Sequence, residues 1–368
     1  MIALASEDLL RLNVLLVNAQ AIRIDEHHMV VYGLGEDRDY EVRLNVTGNE
    51  QAYLKKVREF LSTAMFGSPR RYPKYLHRWA GLGQINNVPV DKLLMLGEPD
   101  VMLAVAYNSA LTDEQAQRAW WAYPGPELGR CLLARVSELD DDFARELVKY
   151  LIEYLPFETN TQDILGTVVL VLSSGLADAD MCNSMWRRGM RKKVYRIGFM
   201  LTDVGKVPEQ QEPREDFASF APVLAAFPDQ PLARLVSRIM DSDGQTLIAT
   251  ALDCLSKCSD QDEVNSLLEA LQKFFKIALP GPANHETVQA VDAAAALHEK
   301  AMAAPLIQEL PALHATITGV LVMSQVGPSL TIPYFSKSDA SGSVMRKQLA
   351  ELFDYLQAHL RGLQNGAM

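Results

Sequence analysis

The residues of this chain best suited to chemistry form a basic segment between residues 186 and 196. Six of its eleven residues are lysine or arginine, and no acid occurs between Asp180 and Asp203, although the chain carries a formal net charge of -11. Such a cluster can bind phosphate groups or an acidic protein surface. It can equally be a solvated edge that pairs with the protein's own acidic helices. The candidate cations are Arg187, Arg188, Arg191, Lys192, Lys193 and Arg196, and Trp186 and Tyr195 are candidate rings for stacking on bases.

Basic and aromatic residues alternate again between residues 69 and 79, with no acid between Glu59 and Asp91. Pro73 would interrupt a helix that begins at Pro69. The favoured interpretation is an aromatic face in the core with cations on the surface. The alternative is one continuous basic surface shared with residues 186–196. The candidates are Arg70, Arg71, Lys74 and Arg78, with Trp79 as a stacking ring.

The cysteines offer a second kind of chemistry. Cys254 and Cys258 are four residues apart in a predicted helix, and therefore lie on one face. Such a pair could form a redox bridge or half of a metal site, but no second pair stands at metal-binding spacing. We expect both to be small buried side chains. A thiol-based sulfur-handling role is an alternative, and it requires an accessible thiol of low pKa.

Other catalytic patterns are missing from the sequence. There is no phosphate-binding glycine loop, no nucleophile elbow and no His-Glu-x-x-His. The sequence therefore predicts a protein without a bound metal or cofactor, and favours a role other than catalysis.

The elements that must position these residues are mostly helices. Ser6 is suited to cap a first helix. Alternating or β-branched residues at 21–24, 28–32 and 40–46 then predict a three-stranded meander. Short amphipathic segments separated by two to five residues follow, and each is too short to be stable alone. The predicted fold is mainly α (α+β overall): a short-helix α-solenoid, or HEAT-like array, with a small N-terminal antiparallel β-meander backed by helices.

Three regions are predicted along the chain: an α/β cap at 1–85, a helical-repeat region at 86–206 and a C-terminal helical region at 217–368. The alternative is that the last two regions are continuous. The proline- and acid-containing segment 207–216 is the best linker candidate. The N-terminus has no basic leader, and the longest apolar stretch, Ile164 to Leu172, is about half the length of a membrane span. We therefore expect a cytoplasmic protein that does not enter a membrane.

Three stretches of the sequence carry a resemblance to a known family. They are Phe66 to Trp79, Leu94 to Asp100, and Leu111 to Trp121 with its Trp120-Trp121 pair. In these stretches the chain resembles the sulfur-reduction protein DsrS family, whose members are encoded with the dissimilatory sulfite reductase genes of sulfur-oxidising bacteria. The resemblance covers most of the chain and is most specific between Phe66 and Trp121. It implies a soluble cytoplasmic accessory protein acting on expression or assembly of the sulfur-oxidation machinery, and it brings no active-site residues.

Three functions follow as hypotheses. The leading one is a non-enzymatic interaction protein that binds a protein partner, which the resemblance places among the components of sulfur oxidation. The second is a nucleic-acid-binding protein in post-transcriptional regulation. The third is the thiol-based protein that uses Cys254 or Cys258.

Overall fold

The structure is a computed structural model, and it describes residues 3–46, 48–67, 89–277 and 284–365. The mainly α fold with an N-terminal antiparallel meander is confirmed. The chain forms two compact units, Met1–Tyr154 and Leu155–Met368. The division falls within the region 86–206 that was predicted as one array.

The first unit contains the sheet. Its elements are α1 (Ser6–Asn18), β1 (Ala19–Asp25), β2 (Val30–Gly35), β3 (Tyr40–Arg43), α2 (Glu50–Phe66), α3 (Val90–Leu94), α4 (Pro99–Ala106), α5 (Asp113–Ala122), α6 (Pro126–Leu133) and α7 (Asp141–Tyr154). The strands pair antiparallel in the order β1-β2-β3, with Ile22 opposite Gly33 and Tyr32 opposite Glu41. Helix α1 packs against β2 and β3, and α3 and α5 pack against β1.

A buried carboxylate joins α1 to the rest of the first unit. Asp8 is fully buried, and it accepts hydrogen bonds from the Tyr53 hydroxyl at 2.6 Å and from the Asn45 backbone N–H at 2.8 Å. A buried charge is tolerated only when such partners replace water. Asp8 therefore fixes the start of α1 to the chain around Asn45 and to α2.

The second unit contains only helices in its described residues. They are α8 (Thr161–Ser174), α9 (Ala179–Arg188), α10 (Val194–Thr202), α11 (Phe217–Ala225), α12 (Pro231–Met240), α13 (Ser242–Lys257), α14 (Gln261–Phe274), α15 (Val288–His298), α16 (Ala304–Glu309), α17 (His314–Met323), α18 (Ile332–Phe335), α19 (Gly342–Gln348) and α20 (Ala350–Asn365). Short 3-10 turns join several of them, and a π-helical turn, Glu299–Ala303, follows α15.

Helix α10 lies at the centre of the second unit. It packs against α8, α13 and α14, while α20 packs against α13 and α17. The division of the chain after Tyr154 follows from these contacts, because α7 packs on α6 whereas α8 packs on α10. The linker candidate 207–216 lies inside this unit, where Val207 and Arg214 are buried.

Within the described ranges, no single helix is both long enough and apolar enough to cross a bilayer. The segments Pro311–Met323 and Pro328–Phe335 reach the required length and composition only together, and they bend by 72° at their junction. Ile317, Val320 and Leu321 of the first segment are fully buried within the protein.

Candidate interaction surface

Helices α9 and α10 position the basic segment. The Asp178 side chain caps α9 by accepting a hydrogen bond from the Met181 N–H at 2.8 Å. Arg187 and Arg188 lie in the last turn of α9, where cations are favourable next to the helix carbonyls. The chain then turns through Gly189, where a Cβ would collide with the Arg196 side chain. Residues 187–193 thus form a tight corner between two helices.

Two of the predicted cations point into the protein. Lys193 is 2% exposed, and its Nζ lies 2.6 Å from Asp253 Oδ2 on α13. Arg196 Nη1 lies 2.5 Å from the same oxygen. Nearby, the buried Glu263 carboxylate accepts a hydrogen bond from the Val194 N–H at 3.0 Å. Lys193 and Arg196 therefore hold α10 against α13, as the interpretation of pairing with the protein's own acids predicted, and are not free for a partner.

The two rings predicted to stack on bases are also inside. Trp186 is 4% exposed and meets Phe199 edge to face with centroids 5.4 Å apart. The Arg196 guanidinium lies over the Trp186 ring at 4.6 Å. Tyr195 is 3% exposed, and its hydroxyl donates to the Leu155 carbonyl at 3.3 Å. Burial raises the pKa of Tyr195. Both rings pack beneath the corner in the protein interior. The stacking role predicted for them from the sequence is therefore corrected, because neither ring is exposed to a base.

The remaining cations are at the surface. Arg187, Arg191 and Lys192 are exposed, and Arg188 is half-buried beside the Tyr195 hydroxyl, to which it hydrogen-bonds. Met190, between them in sequence, is 66% exposed. The corner therefore presents one large apolar side chain among its exposed cations in sequence.

A second exposed apolar side chain lies beside this corner. Phe157 belongs to the 3-10 turn Leu155–Phe157 and is 73% exposed. Hydrogen bonds attach this turn to the corner on both sides of Phe157, from Tyr195 to the Leu155 carbonyl and from Lys192 Nζ to the Glu158 carbonyl at 3.2 Å. We call Phe157, Arg187, Met190, Arg191 and Lys192 the basic surface.

The basic surface combines three exposed positive charges with two exposed apolar side chains, and Lys192 also donates to the Glu158 carbonyl. Charged groups of this kind steer an oppositely charged partner and contribute to specificity, while Met and Phe supply contact area. The cations were recognisable in the sequence, but Phe157 and Asp253 were not, because their proximity to the basic segment depends on folding.

The second basic segment cannot be placed relative to this surface. Its candidates lie outside the described residues, and they are Arg70, Arg71, Lys74, Arg78 and Trp79. Whether the two segments form one surface stays a prediction.

The cysteine pair occupies the core of the second unit. Cys254 and Cys258 are both fully buried, at the end of α13 and just after it. Burial raises the pKa of each thiol well above its ordinary value. Since the thiolate is the reactive form, this environment opposes nucleophilic and metal-binding chemistry. The sulfur-handling hypothesis requires an accessible thiol of low pKa, whereas the thiols at these two positions are buried and have raised pKa values.

The other cysteines are half-buried, and burial raises the pKa of both. Cys131 hydrogen-bonds with Tyr107, a contact that raises the tyrosine pKa to about 12. Across the ranges that the structure covers, no group of three or more His, Cys, Asp or Glu side chains could hold a metal ion.

No protein-family model, no curated protein and no solved structure matches the chain.

Proposed function

We propose that this chain is a non-enzymatic interaction protein that binds an acidic segment of a protein partner through the basic surface. The observation that carries the proposal is the exposure of Met190 and Phe157 next to Arg187, Arg191 and Lys192. Apolar side chains in this setting gain contact area when a partner covers them, and the cations provide complementary charge.

The chemistry of the partner follows from the same residues. An acidic segment that also carries an apolar side chain would satisfy both parts of the surface. A partner in the bacterial sulfur-oxidation machinery, and a cytoplasmic location, belong to the proposal through the resemblance to the DsrS family. The resemblance supports an accessory role rather than a reaction.

Nucleic acid is the less favoured partner. Sequence-independent binding of a nucleic-acid strand requires a row of exposed cations along the backbone and exposed aromatic rings on which the bases stack. Here Trp186 and Tyr195 are buried, and two of the six cations pair with Asp253. The acidic balance of the whole chain also repels phosphate.

The test reverses the exposed charges. The variant Arg187→Glu, Arg191→Glu, Lys192→Glu should fold normally and bind a partner, captured from the native host and then purified, about tenfold more weakly or worse at low salt. The matched control is Lys257→Glu, Lys276→Glu, Lys347→Glu, since these three lysines are also exposed residues of the second unit. Affinity is measured by titration of the purified partner against wild type and both variants.

The apolar part is tested separately with Phe157→Ser, Met190→Ser, which should weaken binding without changing its salt dependence. Equal affinity of the wild type and the charge-reversed variant would remove the basic surface from the site. Retention of RNA alone, lost on nuclease treatment, would favour the nucleic-acid hypothesis instead.

A further inference from the structure

A polar pocket of about 520 Å³ lies in the second unit, away from the basic surface residues. The segment 211–216 forms one wall, and residues of α13, α17 and α20 form the others. The lining residues used below are Glu212, Arg214, Glu215, Gln245, Thr316 and Gln364. Their positions span more than 150 residues of sequence, so only the folded chain assembles them.

Three of these polar side chains are almost completely removed from solvent. The exposed fractions are 7% for Arg214, 4% for Gln245 and 3% for Thr316. Arg214 forms a bidentate pair with Asp216, with Nε–Oδ1 at 2.6 Å and Nη2–Oδ2 at 2.8 Å, and its Nη1 donates to Thr316 Oγ1 at 3.0 Å. Burying such groups is unfavourable unless each is hydrogen-bonded. The guanidinium is therefore fixed in place, and its charge is compensated.

Gln245 is different because only half of its amide is satisfied. Its Nε2 group donates to the Ile239 carbonyl at 2.7 Å and more weakly to the Leu363 carbonyl at 3.4 Å. These two carbonyl partners determine which end of the amide is nitrogen. The Oε1 atom accepts no hydrogen bond from any residue that the structure describes. Gln245 lines the pocket, and its Oε1 atom is not among the fully buried polar atoms without a partner, so this acceptor is accessible to a donor in the pocket.

The mouth of the pocket is negative. Glu212 and Glu215 are exposed and form no ion pair with the described residues, whereas the Asp216 charge is matched by Arg214. Gln364 adds a second amide on the lining, and its side chain makes no hydrogen bond in the described part of the chain. The pocket therefore offers acceptors in its interior and uncompensated carboxylates at its opening.

We propose that this pocket binds a small organic amine in its ammonium form. The ammonium N–H groups would donate to Gln245 Oε1, and the positive charge would face Glu212 and Glu215. An anion would meet repulsion at the mouth. A bare metal ion is disfavoured because the described residues provide no group of three ligands. The proposal concerns residues that the interaction surface does not use, so each can fail without the other.

The test uses putrescine and spermidine as probes on the full chain, with 1,4-butanediol as the uncharged analogue. Isothermal titration at low salt should show saturable binding of the amines and none of the diol. The variant Glu212→Gln, Glu215→Gln alters only exposed side chains and should weaken amine binding about tenfold or more. The control Glu209→Gln, Glu269→Gln removes the same charge from exposed positions outside the pocket lining and should bind as the wild type does.

The role of Gln245 inside the pocket is tested by NMR on the unsubstituted protein. The side-chain amide resonances of Gln245 should shift on titration with putrescine and not with butanediol. The proposal is overturned if neither amine binds saturably, if the diol binds equally well, or if the rim variant keeps full affinity.

Discussion

Neighbouring lysines in the basic segment have opposite roles. Lys192 is exposed and Lys193 is 2% exposed, although the two are identical in type and adjacent in sequence. A buried ammonium group must have a close anion to offset its lost hydration. Asp253 provides that anion for Lys193, whereas Lys192 stays exposed and its Nζ donates to the Glu158 carbonyl. The function of each cation is thus decided by what lies opposite it.

Cysteine reactivity tests the sulfur-handling hypothesis at single residues. We expect Cys254 and Cys258 to react slowly with iodoacetamide in the native protein, because burial excludes the reagent and raises both pKa values. The half-buried Cys131 and Cys182 should react sooner. Mass spectrometry of the alkylated peptides measures each rate, with guanidinium-unfolded protein as the control in which all four react. Rapid native labelling of Cys254 would revive the thiol hypothesis.

The Glu299 carboxylate provides a pH-dependent contribution to stability. It accepts hydrogen bonds from His314 Nε2 at 2.9 Å and Thr318 Oγ1 at 2.8 Å, and the hydrogen bond from His314 is the main cause of its lowered pKa. A pKa lowered in the folded state adds stability above the ordinary Glu value, about 4.3, and loses it as pH falls through the folded value.

We therefore expect Glu299→Gln to lower the free energy of unfolding by about 0.5–1 kcal/mol at pH 7. The difference from wild type should shrink as the pH falls below about 4. Urea unfolding at the two pH values measures it, and Glu309→Gln, at an exposed position, is the control. A constant difference at all pH values would exclude the charge as its source.

At the scale of elements, several helix starts followed from local sequence. Ser6 is an exception: it is the first residue of α1, Ala5 is the N-cap, and no side chain caps this helix. Thr112 forms a capping box with Gln115 at the start of α5, as the Thr-x-x-Gln spacing favours, and Asn49 caps α2 by accepting from the Ala52 N–H at 2.9 Å. Capping was predictable because its partners are two or three residues apart. The state of the apolar stretch at 311–326 was not, because its burial against α12, α15 and α20 depends on distant residues.

The crossing of α8 and α10 depends on one glycine. A Cβ at Gly198 would lie 2.5 Å from Val168 Cγ1, and valine has little rotamer freedom with which to move away. Gly198→Ala should therefore destabilise the protein by about 1–3 kcal/mol, even though alanine favours helix. Gly166 is the matched control, since it is exposed on α8 with nothing within 4 Å of its Cβ position.

Gly166→Ala should be neutral or stabilise by up to about 1 kcal/mol. Thermal and urea unfolding measure both variants. A stable Gly198→Ala protein would mean that α8 and α10 can separate slightly without loss of packing.

At the scale of the whole molecule, charge is distributed unevenly. A chain of net charge -11 exposes three cations and two large apolar side chains at one corner, and two uncompensated carboxylates at the mouth of one pocket. Net charge governs solubility and general repulsion, while binding depends on local charge within about a Debye length, roughly 8–10 Å. The two sites are thus expected to select ligands of opposite sign.

The sequence by itself determined the mainly helical class, the meander and many helix starts, because periodicity, capping and turn residues act over a few positions. It also located the basic segment. Only the tertiary structure decided that Lys193, Arg196, Trp186 and Tyr195 face inward, that hydrogen bonds attach the turn carrying Phe157 to the basic corner, and that Gln245 retains an unused acceptor. Those outcomes depend on contacts such as Lys193 with Asp253, 60 residues apart. Local patterns do not encode such contacts, because the partner is selected by the packing of whole helices.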